Sequence, residues 1–172
     1  MMKRKALMKS KFRILSVICL SVVLVVSLAG CAASNTAANE EQAANRHYMA
    51  QVNQSMEDLD GRLVTFNEAV SRGDSVTMKT QADNAFKSVS QLEALTPPDA
   101  LKDVHAQYVE GCKNLEDALN SYVGLFSEIN SATEAAPFDY ATYDAHLQEI
   151  QQKYNDGIKK LEEADKAATD LG

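Results

Sequence analysis

Apolar residues recur at alternating steps of three and four along four stretches of this chain, and that spacing constrains its fold more than any other feature. The first stretch runs Met49, Val52, Met56, Leu59, Leu63, Phe66 and Val70. Such a pattern places its apolar residues on one side of a helix, the seam of a helix packed nearly parallel to its neighbours. It predicts a first helix over about 40–71, with Arg72-Gly73 as a C-terminal stop. Gly61 falls off the seam and costs about 1 kcal/mol relative to Ala. Met78, Ala82, Ala85, Val89 and Leu92, widened by Phe86, mark a second helix capped by Asp74 or Ser75 and ended by Leu95 before Pro97.

The third stretch is Leu101, Val104, Tyr108, Cys112, Leu115, Leu119, Tyr122, Phe126 and Ile129. Thr96-Pro97-Pro98-Asp99 precedes it, so Thr96 is expected to cap, Pro97 to open the helix and Asp99 to complete a capping box. That helix fades near Ser131–Ala135. Asp139 is the expected cap of a fourth helix, whose stripe is Tyr140, Tyr143, Leu147, Ile150, Tyr154, Ile158 and Leu161, continuing through Ala164, Ala168 and Leu171. Nothing alternates with the period of a strand. The expected fold is all-α, an antiparallel up-down-up-down four-helix bundle with a short second helix.

Helix length then carries geometry. The second helix is expected to be about 31 Å long and the third and fourth to approach 50 Å. If the third begins beside the end of the second, the turn between helices three and four projects on the order of 20 Å past the turn between helices one and two. Tyr122, Phe126, Phe138, Tyr140 and Tyr143 cluster around that turn. Aromatics at a protruding end form a candidate contact surface for an envelope protein or a small ligand. The structural alternative is that the rings close the hairpin on one another.

Ahead of the helices stands a different kind of segment. Met1–Arg13 is basic, Ile14–Leu28 is apolar, and Leu28-Ala29-Gly30-Cys31 follows. The apolar run would make about 22 Å of helix against roughly 30 Å of hydrocarbon, short for a spanning anchor and typical of a signal sequence. The order resembles the lipobox of bacterial lipoproteins. That resemblance implies cleavage after Gly30, a diacylglyceryl thioether on Cys31, and attachment to the lipid bilayer on the extracytoplasmic side of the cell membrane. The outer membrane becomes the destination in a two-membrane host, because Ala32 follows the cysteine. The expected division is a signal peptide over 1–30, a lipidated tether over 31–39 and a helical domain over 40–172. Thr96-Pro97-Pro98-Asp99 with His105 also resembles a segment of small helical lipoproteins of Gram-positive bacteria.

Charge narrows the partners. Six of the 17 basic residues and none of the 24 acids precede Cys31, so residues 31–172 carry 11 bases against 24 acids, a formal charge of −13. A surface this negative repels nucleic acid and anionic headgroups. With Cys19 in the leader and Cys31 spent on lipid, Cys112 stands alone on an apolar stripe and is expected to be packing.

Little chemistry announces itself. His47 and His105 are expected near one end of the bundle and His146 near the other, so the three cannot share a metal. His146 and Glu149 share a helical face, but a di-iron bundle needs two Glu-x-x-His motifs and further carboxylates. The sequence holds neither a phosphate-binding glycine loop nor a nucleophile elbow. No catalytic, cofactor-binding or metal residue is assigned and no cofactor is expected. The expected function is a non-enzymatic, membrane-anchored binding or spacer module. The alternatives are a ligand- or metal-binding accessory of a transporter and, behind it, an envelope enzyme.

Overall fold

The computed structural model describes residues 36–171, which fold into four α-helices with no strand among them. They are α1 (Thr36–Arg72), α2 (Ser75–Glu93), α3 (Lys102–Ser131) and α4 (Tyr143–Leu171), with a single 3-10 turn at Asp99–Leu101 ahead of α3. Among the described residues no helix is long and apolar enough to cross a membrane.

The core follows the predicted stripes closely. Val52, Leu59, Leu63 and Phe66 are buried from α1, and Met78, Ala82, Ala85, Val89 and Leu92 from α2. From the 3-10 turn and α3 the stripe Leu101, Val104, Tyr108, Cys112, Leu115, Leu119, Tyr122 and Phe126 is buried; from α4 it is Ile150, Ile158, Leu161 and Ala164. Cys112 is among the most enclosed side chains, as packing requires, and its sulfur lies 3.9 Å from that of Met56. Tyr48 replaces Met49 as the first fully buried residue of α1.

Helix ends depart from the sequence expectation in three places. The first helix begins at Thr36, so the last four residues of the expected tether are helical. Next, Thr96 and Pro97 do not open α3. Pro98 is extended (φ −57°, ψ 156°), the 3-10 turn follows it, and Asp99 turns forward to Lys102 at 2.6 Å instead of closing a capping box. Two consecutive prolines hold the chain extended before them, which keeps Thr96-Pro97 out of the helix. The third departure is at α4, which starts at Tyr143. Asp139 accepts from the Ala141 amide 2.9 Å away, an Asx turn that competes with helix initiation at Tyr140. The remaining junction behaves as expected: Gly73 takes φ 70° and the Asp74 carboxylate accepts from the Thr77 amide at 3.0 Å.

Contacts between helices fix their registers. Along α1 and α3 the numbers rise together, with Tyr48 beside His105, Met56 beside Cys112 and Phe66 beside Tyr122. Along α1 and α2 they run oppositely, with Asp58 bonded to Ser88. They also run oppositely along α3 and α4, where Tyr108 meets Asp165 and Glu110 meets Lys160. Glu93, the last residue of α2, pairs with Lys113 at 2.8 Å, well inside α3.

That last pair overturns the projecting tip. The third helix does not start beside the end of α2. It starts 11 residues earlier in its own register, about 16 Å away along the axis, and Ala94–Leu101 spans the offset. The α1–α2 turn is thereby level with the far end of α3: Ser75, Val76 and Lys79 share a groove with Val123, Phe126 and Ser127. Only about 6 Å of α3 extends beyond that groove. The element left without neighbours is at the other end. With Tyr48 level with His105, the residues of α1 before about 45 overhang the start of α3 by about 14 Å, and Asn39–Ala44 are all exposed.

Candidate functional site

The aromatic residues singled out around the third turn divide into two groups. Tyr122 and Phe126 are core: both are buried, and Tyr122 stands edge-on to Phe66 of α1, ring centres 5.8 Å apart. The expectation that helix one leaves them uncovered is corrected by the register just described. Burial drives the Tyr122 hydroxyl well above the ordinary tyrosine value.

Phe138, Tyr140 and Tyr143 form the second group: Tyr140 is exposed, while Phe138 and Tyr143 are half-buried against the edge of the core. Phe138 is the hub, edge-on to Tyr140 at 5.0 Å and to Tyr143 at 6.3 Å. Such T-shaped pairs set the positive edge of one ring on the negative face of another and are each worth about 0.5–1.5 kcal/mol. Tyr140 is 52% exposed, one of the few large apolar side chains left in water. The Tyr143 hydroxyl is buried with no hydrogen-bond partner, and burial also raises its pKa.

Local bonds hold these rings in place. Ala132 leaves α3 in an extended conformation, and Thr133 and Ala136 close a turn on each other, amide to carbonyl at 3.0 Å and amide to hydroxyl at 3.1 Å. The Asp139 turn follows, and the Thr142 carbonyl accepts from the His146 amide at 3.0 Å. Ala132–Thr142 is therefore a sequence of small closed turns that exposes ring faces.

The surroundings are acidic. From Asn114 to Gln152 the chain has no Lys or Arg, while Glu128, Glu134, Asp139, Asp144 and Glu149 occur around the turn. Arg72 and Lys79 lie at the same end of the molecule, with Arg72 turned to Glu68 at 3.6 Å. The groove beside them encloses about 330 Å³, with Met78 and Phe126 buried in it and Val76 75% exposed at its rim.

Polar groups elsewhere in the core join helix to helix. Tyr108 donates to Asp165 at 2.5 Å; burial, then this bond, pushes the Tyr108 hydroxyl far up. Burial raises the Asp165 carboxyl against the opposing pull of the same bond. Tyr48 and His105 are hydrogen-bonded at 2.8 Å. Burial raises Tyr48 to about 12 and lowers His105, with Glu93 pulling His105 the other way. Burial likewise holds the Cys112 thiol at about 12, which makes it a poor nucleophile.

His47 and His146 are exposed on different helices, and His105 is engaged with Tyr48. Among the described residues no group of three or more His, Cys, Asp and Glu side chains is arranged to hold a metal ion. Sequence reasoning missed the interior bonds of Tyr48, Ser88 and Asp165. Only Ser88, a polar residue beside the stripe residue Val89, carried a signal for them. Cys31, the expected lipid attachment point, lies outside the described residues. Compared with known proteins, the chain matches no family model, no curated protein and no solved structure.

Proposed function

We propose that this chain is a bacterial envelope lipoprotein, anchored through a diacylglyceryl group on Cys31, whose helices form an up-down-up-down bundle on the extracytoplasmic side of the membrane. The observation that carries the reading is Leu28-Ala29-Gly30-Cys31 at the close of a basic and then apolar leader. The bundle topology is supported by the opposed registers of α1 with α2 and of α3 with α4. The anchored end would be the start of α1, and the Phe138–Tyr140–Tyr143 tip would face away from the bilayer.

Its role is that of a non-enzymatic binding or spacer module. Support comes from the use to which buried and half-buried polar groups are put: Ser88, Tyr108, Asp165, Tyr48 and His105 are taken up in helix-to-helix bonds. Toward solvent, carboxylates outnumber bases and Tyr140 stands exposed, which suits contact.

Metabolic labelling with a palmitate analogue tests the anchor. The wild-type chain should be labelled and processed, and Cys31→Ser should be neither, accumulating as precursor. Label retained on the Cys31→Ser chain would end the lipoprotein reading.

A further inference from the structure

The tip combines two properties that rarely coincide by accident of composition. Tyr140 stands half in water, edge-on to a Phe138 that, like Tyr143, is half-buried against the core. Around them the charge is predominantly negative: neither Ala132–Thr142 nor the flanking helix turns contain Lys or Arg, while Arg72, paired with Glu68, and Lys79 are the bases placed at the same end. The last turn of α3 also has no basic residue, so its terminal carbonyls add partial negative charge. A ring face is itself the negative part of an aromatic quadrupole.

We infer that the tip is a docking surface for an arginine-bearing segment of a partner protein. The inference rests on the binding-module reading and names the chemistry of its partner. A guanidinium is planar, stacks on tyrosine faces and is weakly hydrated, so it draws on rings and carboxylates together. A lysine ammonium matches the charge but not the plane. A second copy of this chain is disfavoured as the occupant, because two tips would bring like charges together. An isolated organic cation is disfavoured too, because the rings stand perpendicular in an open array instead of walling a pocket.

The test uses the full-length chain in a neutral detergent and three fluorescein-labelled twelve-residue peptides, alternating Arg-Gly, Lys-Gly and Glu-Gly. Fluorescence anisotropy should show the Arg-Gly peptide binding most tightly, Lys-Gly more weakly and Glu-Gly not at all. Tyr140→Ser should weaken Arg-Gly binding about tenfold and bring it level with Lys-Gly. Tyr140→Leu, which keeps the bulk and loses the ring, should do the same and covers the case in which Ser disturbs the turn. Glu134→Gln with Asp139→Asn should weaken both basic peptides. Glu41→Gln with Glu57→Gln, which removes two carboxylates from the exposed face of α1 away from the tip, should change neither by more than about twofold. Equal affinity for Arg-Gly and Lys-Gly overturns the inference, as does an equal loss in the α1 variant, no binding of any peptide, or a self-association that peptide does not disturb. Binding is read on purified chain whether or not Cys31 is lipidated. Failure here therefore leaves the palmitate result standing, and failed labelling leaves this result standing.

Discussion

The seam between α3 and α4 and the turn that joins the same two helices are held together by opposite means. In the seam, Gly111 and Gly157 face each other across a gap with no room for a methyl group. A Cβ on Gly157 would lie 2.9 Å from the Gly111 carbonyl oxygen and 2.9 Å from Leu115, and one on Gly111 would lie 2.8 Å from Leu161. In the turn, rings touch edge to face and remain wet, and small hydrogen-bonded loops provide the order. Close backbone approach rigidifies one region, while local bonding lets the other display its side chains. One hairpin thus supplies both a seam of close backbone approach and, in Tyr140, an exposed aromatic ring.

The largest expected effect breaks the seam. Leu115 is 1% exposed and packs against Gly157, so Leu115→Ala should cost about 2–5 kcal/mol in urea unfolding. A loss below 1 kcal/mol would mean that the seam repacks freely.

A glycine pair sharpens the same contrast. Gly157→Ala gains about 1 kcal/mol of helix propensity but forces a methyl onto backbone, and overpacking of this kind costs about 1–3 kcal/mol. The net should be a loss. Gly124 has nothing within 4 Å of the same methyl position, so Gly124→Ala should gain up to about 1 kcal/mol. Melting temperatures that move in the same direction for both variants would refute the close approach.

A smaller effect should appear as pH dependence at the opposite end of α3. Burial lowers the His105 pKa below its ordinary 6.5, so folding favours the neutral ring. The stability this contributes is present above about pH 6.5 and is lost as pH falls through the lowered folded value. Asp165 and Glu116, both raised by burial, act in the reverse sense, gaining stability toward acid. Urea midpoints of wild type and His105→Gln at pH 7.5 and 5 separate the two. The wild type should lose more than the variant, because the carboxylates are common to both.

The smallest effect belongs to the tip. Tyr140 is 52% exposed and makes one of the two edge contacts, so Tyr140→Ser should cost about 0.5–1.5 kcal/mol. Phe138→Ser should cost more, because that ring makes both edge contacts. Circular dichroism melts of the two variants rank them, and the reverse order would place Tyr140 in the core.

Reading these residues from sequence succeeded where burial alone decides. The stripes of α2 and α3 were legible residue by residue, because each stays buried along nearly its whole length. The fourth stripe was over-extended at both ends, since Tyr140 and Leu171 keep the spacing of the stripe but have no facing helix to bury them. Gly111 and Gly157 carried no hydrophobic signal at all; their role depends on which helix lies opposite, and that is a matter of register. Register was the quantity spacing could not supply. It hinged on Thr96-Pro97-Pro98, which matches the signature of a helix start and is in fact extended chain.

That extended stretch has a consequence for how the offset between α2 and α3 is maintained. Leu92 and Leu101, 1% and 2% exposed, fix its two ends in the core, while Pro97 and Pro98 between them are only half-buried. Leu95 adds a partly buried anchor between those ends, and the prolines add a hold on the register that acts through the unfolded chain. Each proline ring removes backbone freedom that any other residue would surrender on folding. The span behaves as a strut of set length whose stiffness is already present before the helices meet. It disfavours the alternative alignments of α3 against α2 before either helix is packed.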